Sequence, residues 1–346
     1  MTEPATLPLK PIETEHRAGL EAMIGRRRDL EALAARVVAA GLRNVYLTGS
    51  GGGFITVQPL HYQLEQRATH FSVFSHSANE LIYRNPAGLG SGSLILLASN
   101  TGTTPEVVAA ATFAKQHGAT VVAFTRLADS ALARASDEAY TYGDDHGVGD
   151  PKEAGLALLG LALLRETGDM EAAEYAAHVR AIEALPDTLI EAVQETETLN
   201  AAIASAFRDE SLIYILGSGP NHSTAYCLAM CYLQEMQWKH AVSFDAAEFL
   251  HGAMEVVTDE TPVILFLGEE TTRPIDERAK AFLLRYTRRA FFIDSRDLSL
   301  TGVDPALRGY VSTFALAAVM SRLAQHFEAA TGHDLKIRRY MFKVDY

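Results

Sequence analysis

Two hydrophobic patterns alternate along the chain. Short, nearly unbroken apolar runs end in Gly, Ser or Thr, and between them apolar residues recur every three or four positions. The first pattern is that of strands buried on both faces of a parallel sheet, the second that of amphipathic helices. On this basis residues 13–40 predict a helix closed by Gly41, and Asn44–Thr48 predicts a strand, with a helix from about Phe54. Further strands are expected over His70–Ser75, Ser93–Ser99 and Ala119–Thr125, with a short helix from Ala78 and an edge strand at Ala139–Tyr142. Residues 151–207 predict helices broken at Pro186. A second series follows, with strands over Leu212–Leu216, Ala241–Phe244, Pro262–Gly268 and Ala290–Asp294, a long helix from Asn221 and another over Phe314–Thr331.

The second series repeats the first. Gly49-Ser50-Gly51 and Gly217-Ser218-Gly219 both stand between a strand and a helix, and the Pro262 and Ala290 strands correspond to the Ser93 and Ala119 strands. The expected fold is therefore α/β, with two tandem domains, residues 1–190 and 191–346, the second carrying the C-terminal tail. Each is a parallel sheet with helices on both faces, three layers in a flavodoxin-like arrangement.

Composition narrows the possibilities. With 346 residues, 48% of them hydrophobic, the chain can bury two ordinary cores. A net charge of -13 argues against a general nucleic-acid or anionic-membrane binder, because phosphate backbones call for clustered Lys and Arg. No run of about eighteen apolar residues and no signal-peptide pattern is present, so the expected location is cytoplasmic. Cys227 and Cys231 read as reduced core residues, since two Cys alone make no structural zinc site.

Three stretches carry candidate chemistry. Gly49, Ser50 and Gly51 form a glycine turn before a helix, a place where backbone N–H groups and the helix dipole favour an anion. Ser99-Asn100-Thr101-Gly102-Thr103-Thr104 ends the Ser93 strand and precedes Pro105, combining neutral donors with a helix start. Capping would employ one of its hydroxyls and leaves the others unexplained. Finally, Glu235 and His251 stand sixteen residues apart, a carboxylate and an imidazole of the kind that move protons near neutral pH. The aromatic tail Arg338-Arg-Tyr-Met-Phe-Lys-Val-Asp-Tyr346 is expected to dock, which would make Lys343 a candidate for holding an anionic substrate.

These residues resemble the sugar isomerase (SIS) family with two tandem domains. Ser99-Asn-Thr-Gly-Thr-Thr is similar to its Ser-x-Ser-Gly-x-Thr phosphate loop, Glu248-Phe-Leu-His-Gly to its Glu-x-x-His-Gly, and Glu235 precedes His251 by the family's spacing. The tail resembles the deglycase branch. The resemblance implies that Ser99, Asn100, Thr101 and Thr104 hold a sugar phosphate, that Glu235 shuttles a proton between C1 and C2 of the open-chain sugar, and that His251 opens the ring. It implies a contact between Lys343 and the sugar, no cofactor and no metal, and a homodimer in which His251 serves the partner's site. Two departures stand out: Gly51 replaces a phosphate-binding Ser, and Gly252-Ala253 replaces the common Gly-Pro.

The activity implied is hydrolysis of a 6-phosphorylated fructosyl amine. An aldose–ketose isomerase or glucosamine-6-phosphate deaminase would use the same two residues, and a non-catalytic sugar-phosphate sensor the same loops. Asn221, His222, Trp238 and His240 are candidates for lining an amine pocket.

Overall fold

The computed structural model describes residues 7–12, 17–143 and 148–345. It divides into two compact units, one drawn from residues 13–186 and the other from residues 187–346 together with 1–12. In the first unit five strands, β1 (Asn44–Gly49), β2 (Ser72–Ser77), β3 (Ser93–Ser99), β4 (Thr120–Thr125) and β5 (Glu138–Thr141), form one parallel sheet in the order β2-β1-β3-β4-β5. β3 is buried along its whole length, which is why it reads as an unbroken apolar run. The helix Pro151–Thr167 is likewise buried from Lys152 to Leu164.

The second unit holds β6 (Ile213–Gly217), β7 (Ala241–Asp245), β8 (Val263–Leu267) and β9 (Ala290–Asp294), parallel and ordered β7-β6-β8-β9. The internal repeat extends to single dihedral angles. β1 runs into Gly51 at φ 52°, ψ -126° and a helix, and β6 runs into Gly219 at φ 52°, ψ -130° and a helix. Residues 7–12 pack on the second unit, where Leu7 N donates to Ala329 O at 3.1 Å and Lys10 pairs with Glu328 at 2.7 Å.

Several elements differ in detail from the sequence expectation. The single helix expected over 13–40 is two helices, Ala18–Gly25 and Arg27–Ala39, and its first four positions, 13–16, lie outside the described residues. The break expected at Pro186 falls at Ala184, between the helices Ala172–Glu183 and Leu185–Glu195, and Pro186 stands at the second position of the latter, where its missing N–H costs nothing. The helix expected from Asn221 is α-helical only over Pro220–Tyr226. From Cys227 to Met236 it is a π-helix, and Gln237 N still donates five residues back, to Tyr232 O at 2.9 Å. Cys227 and Cys231, both within this segment, form no disulfide among the described residues. No helix among the described residues is long and apolar enough to cross a membrane.

Candidate active site

In the first unit the two expected loops lie side by side. β1 and β3 are hydrogen-bonded neighbours with Gly49 opposite Ala98, so both loops emerge at the point where the strand order reverses, where open α/β sheets take ligands. They also pack closely: a Cβ on Gly53 would stand 2.1 Å from the carbonyl oxygen of Ala98. Ser50 is half-buried and Gly51 exposed at the start of the helix Gly52–Arg67.

The Ser99 loop is held by its own hydroxyls. Ser99 Oγ accepts from Gly102 N at 3.2 Å and lies 3.4 Å from Thr104 Oγ1, while Thr101 and Thr103 hydroxyls meet at 2.8 Å. Thr104 is the N-cap of the helix Pro105–Gln116, yet its side chain does not cap it. Capping therefore explains none of these hydroxyls. Gly102, at φ 65°, gives its carbonyl to Leu132 N at 2.9 Å and tucks the loop against Ser130.

Asn100 is exposed, and Tyr142 OH donates to its Oδ1 at 2.5 Å. With the carbonyl oxygen engaged, the amide offers its NH2 outward as a donor. Behind Tyr142 stands a polar cluster that the sequence reading did not anticipate. Lys152 Nζ lies 3.4 Å from Tyr142 OH and 2.8 Å from Asp150 Oδ1, and Thr56 Oγ1 donates to Asp150 Oδ2 at 2.9 Å. Burial opposes the charge of Lys152, but Asp150 and Tyr142 outweigh it and its pKa is raised. Beside it, burial and the Asp150 charge push Glu153 up to about 8, against the pull of Lys152, and its Oε1 has no hydrogen-bond partner among the described residues.

Glu153 supplies a pH prediction. An acid whose folded pKa exceeds its unfolded value favours the protonated folded state, so stability is lost as pH rises from about the unfolded value of 4.5 through 8. Glu153→Gln is expected to flatten that fall, raising the melting temperature near pH 8 by a few degrees relative to the parent while leaving it unchanged near pH 4. Parallel melting curves across this range check it, and equal slopes for the two proteins would contradict a buried neutral Glu153.

In the second unit Glu235 is placed by the π-helix, one residue from its end. Burial raises its pKa, and Arg338 opposes the rise both by charge and by a hydrogen bond. The Arg338 Nη2 to Glu235 Oε1 distance is 2.9 Å, with 16% and 24% of the two side chains exposed. The tail therefore reaches the candidate base, but through Arg338, which the sequence reading left without a role. Lys343 is exposed and donates its Nζ to the carbonyl of Arg338; Tyr346 lies outside the described residues. His251 is exposed on the turn after the helix Ala246–Phe249, and its N–H donates to Glu248 O at 2.9 Å. No hydrogen bond or ion pair joins His251 to Glu235 among the described residues.

The four residues expected to line an amine pocket separate. Asn221 is 1% exposed, and its amide lies against Gly268, where a Cβ would stand 2.2 Å from Asn221 Nδ2. His222 is lowered by burial, with Asp245 opposing. His240 is exposed. Trp238, at φ 54°, packs against the tail, its ring tilted by 59° to that of His333.

A family model for the SIS domain matches residues 40–143 and 206–297. This chain belongs to the SIS domain family. The two matched stretches are the two sheet-bearing repeats, and they contain both glycine turns and the Ser99 loop. Fructosamine deglycase FrlB from Bacillus subtilis (strain 168) is 30% identical over 321 residues, covering 92% of this SIS chain and 97% of that protein. Fructoselysine 6-phosphate deglycase from Escherichia coli (strain K12) is 24% identical over 312 residues, covering 90% and 89% respectively. Among solved structures, one from Bacillus subtilis described as a phosphosugar isomerase superposes with a TM-score of 0.88 at 29% identity, covering 94% of this chain and 99% of its own.

Proposed function

We propose that this SIS protein hydrolyses a 6-phosphorylated fructosyl amine to glucose 6-phosphate and a free amine or amino acid. The observation that carries the reading is Glu235: a half-buried carboxylate whose pKa burial raises and Arg338 holds back, at the position where the SIS resemblance expects a base. Two further facts support it: the oxygen- and nitrogen-donor loop at Ser99–Thr104 in the first unit, and near full-length similarity to two proteins named as deglycases.

The residues divide the work. Ser99, Thr101 and Thr104 hydroxyls, the Asn100 amide and the backbone of Gly49-Ser50-Gly51 hold the phosphate. His251 protonates the ring oxygen as the sugar opens, acting in the site of the partner subunit of a homodimer. Glu235 removes a proton from C1, giving an enolamine; protonation at C2 then leaves a C1 imine, which water attacks to release the amine. Loss of the C1 proton sends its electron pair to the C2 carbonyl oxygen, and the nitrogen lone pair forms the imine as C2 is protonated, so the residues need only hold and move protons. Lys343 is proposed to meet the open-chain sugar.

A second reading is favoured by the likeness to a structure described as a phosphosugar isomerase. The same Glu235 would then move a proton between C1 and C2 of a plain sugar phosphate. A three-substrate assay separates the two, with glucose 6-phosphate release from fructoselysine 6-phosphate read beside conversion of fructose 6-phosphate and glucosamine 6-phosphate. Release from the fructosyl amine alone is the expected result. Conversion of a simple sugar phosphate without it moves the protein to the isomerase or deaminase class, and binding without turnover of any of the three makes it a sensor.

A further inference from the structure

We propose that Arg338 is a positioning residue for Glu235, and that the tail from Thr331 to Arg339 is a clip that holds it in place. The inference rests on Glu235 being the base, but its physical content is a contact within the second unit. Arg338 spends one edge of its guanidinium on its own segment, where Nη1 donates to Leu335 O at 2.6 Å and Ile337 O at 3.1 Å, and the other on Glu235 Oε1. A guanidinium fixed on two sides presents a directed donor to the carboxylate.

The clip grips the two residues that follow the π-helix. Gln237 Nε2 donates to His333 O at 2.5 Å and its Oε1 accepts from Thr331 Oγ1 at 2.6 Å. The Trp238 ring lies 4.6 Å from the His333 ring, and the Arg339 guanidinium lies over it at 4.3 Å. Trp238 holds a left-handed backbone conformation, which is strained for a non-Gly residue and persists where neighbours over-determine it. The tail contacts supply those neighbours. The end of the helix that carries the base and the tail that carries its counter-charge are thus fixed by one set of contacts.

The chemical consequence concerns charge. A general base works only while ionised, and burial favours the protonated form of Glu235. Arg338 is the one charged group acting on Glu235 among the described residues, so it alone keeps the carboxylate available and aims its free oxygen.

The test uses the full-length protein labelled with carboxyl-13C glutamate, the Glu235 signal being identified by its loss in Glu235→Gln. Arg338→Gln is expected to shift the Glu235 titration upward by about one pH unit or more, the size of effect an adjacent opposite charge exerts. The acid limb of the pH profile of kcat/KM for the fructosyl amine should move with it, at nearly constant KM, and Arg338→Lys should restore part of both shifts. Arg339→Ala, which loosens the clip without touching the ion pair, should shift the titration the same way by less. A Glu235 titration unmoved in Arg338→Gln overturns the positioning role whatever the turnover, and one unmoved in Arg339→Ala overturns the clip. A shifted titration in a protein that turns over no fructosyl amine would support the Arg338 contact and defeat the deglycase reading instead.

Discussion

Glu235→Gln is expected to lower turnover of a fructosyl amine 6-phosphate by about 10²–10⁴-fold, the usual worth of a positioned acid–base group. The amide keeps the shape of the side chain and an oxygen for Arg338 to donate to, so melting temperature and product affinity should remain those of the parent. Initial rates and a thermal melt on the same preparation check both halves. Activity within tenfold of the parent would remove Glu235 from its role. His251→Ala should be comparably slow. If His251 serves the partner subunit, mixing the two dead variants and letting subunits exchange should restore about a quarter of parental activity, because half the dimers are mixed and each mixed dimer has one intact site. Mixed variants that stay inactive would place His251 in its own subunit's site.

Gly102→Ala is expected to raise KM for the phosphorylated substrate more than tenfold while leaving most of kcat. Two independent penalties meet at this position. A left-handed φ of 65° costs a residue with a Cβ about 1–2 kcal/mol. That Cβ would also stand 2.4 Å from Ser130 Oγ, 2.5 Å from Ser130 Cβ and 2.7 Å from Thr125 Oγ1, an overlap worth roughly 1–3 kcal/mol more. The cheapest relief is for the loop to lift away from Ser130, which separates Ser99 from the Gly102 N–H and spoils the cradle. Adding Ser130→Gly should recover the part of the steric penalty that Ser130 causes and leave the Thr125 overlap and the dihedral part. Direct titration with glucose 6-phosphate checks both variants, and unchanged affinity in Gly102→Ala would dissociate this loop from phosphate binding.

Much of the fold was legible because parallel strands buried on both faces have no polar alternation to blur them. β3 shows this most plainly, with every residue from Ser93 to Ser99 buried. The repeat was legible because a strand entering a helix through a left-handed turn leaves few residue choices, and Gly51 and Gly219 satisfy the same dihedral angles. Burial of charge was less accessible. Lys152 and Glu153 look like the solvated start of a helix, and only the positions of Asp150 and Tyr142 show why they are inside. Arg338 was invisible as a partner of Glu235 for a similar reason: Arg338, Arg339 and Lys343 are near in sequence, and choosing among them requires the path of the tail. The sequence could not announce the π-helix either, beyond the five-residue step between the buried Leu228 and Leu233.

That π-helix makes the bearing of the base a matter of residue count. The wide turns between Cys227 and Met236 accommodate their length without an α-helical register. In a helix of fixed geometry each residue lost or gained turns everything beyond it by about 100° around the axis. Glu235 would then keep its identity, its sequence neighbours and its tail, yet face another direction. Substitutions along this helix are therefore far safer for the chemistry than any insertion or deletion, and a descendant lineage could silence the enzyme by losing one codon without touching a site residue.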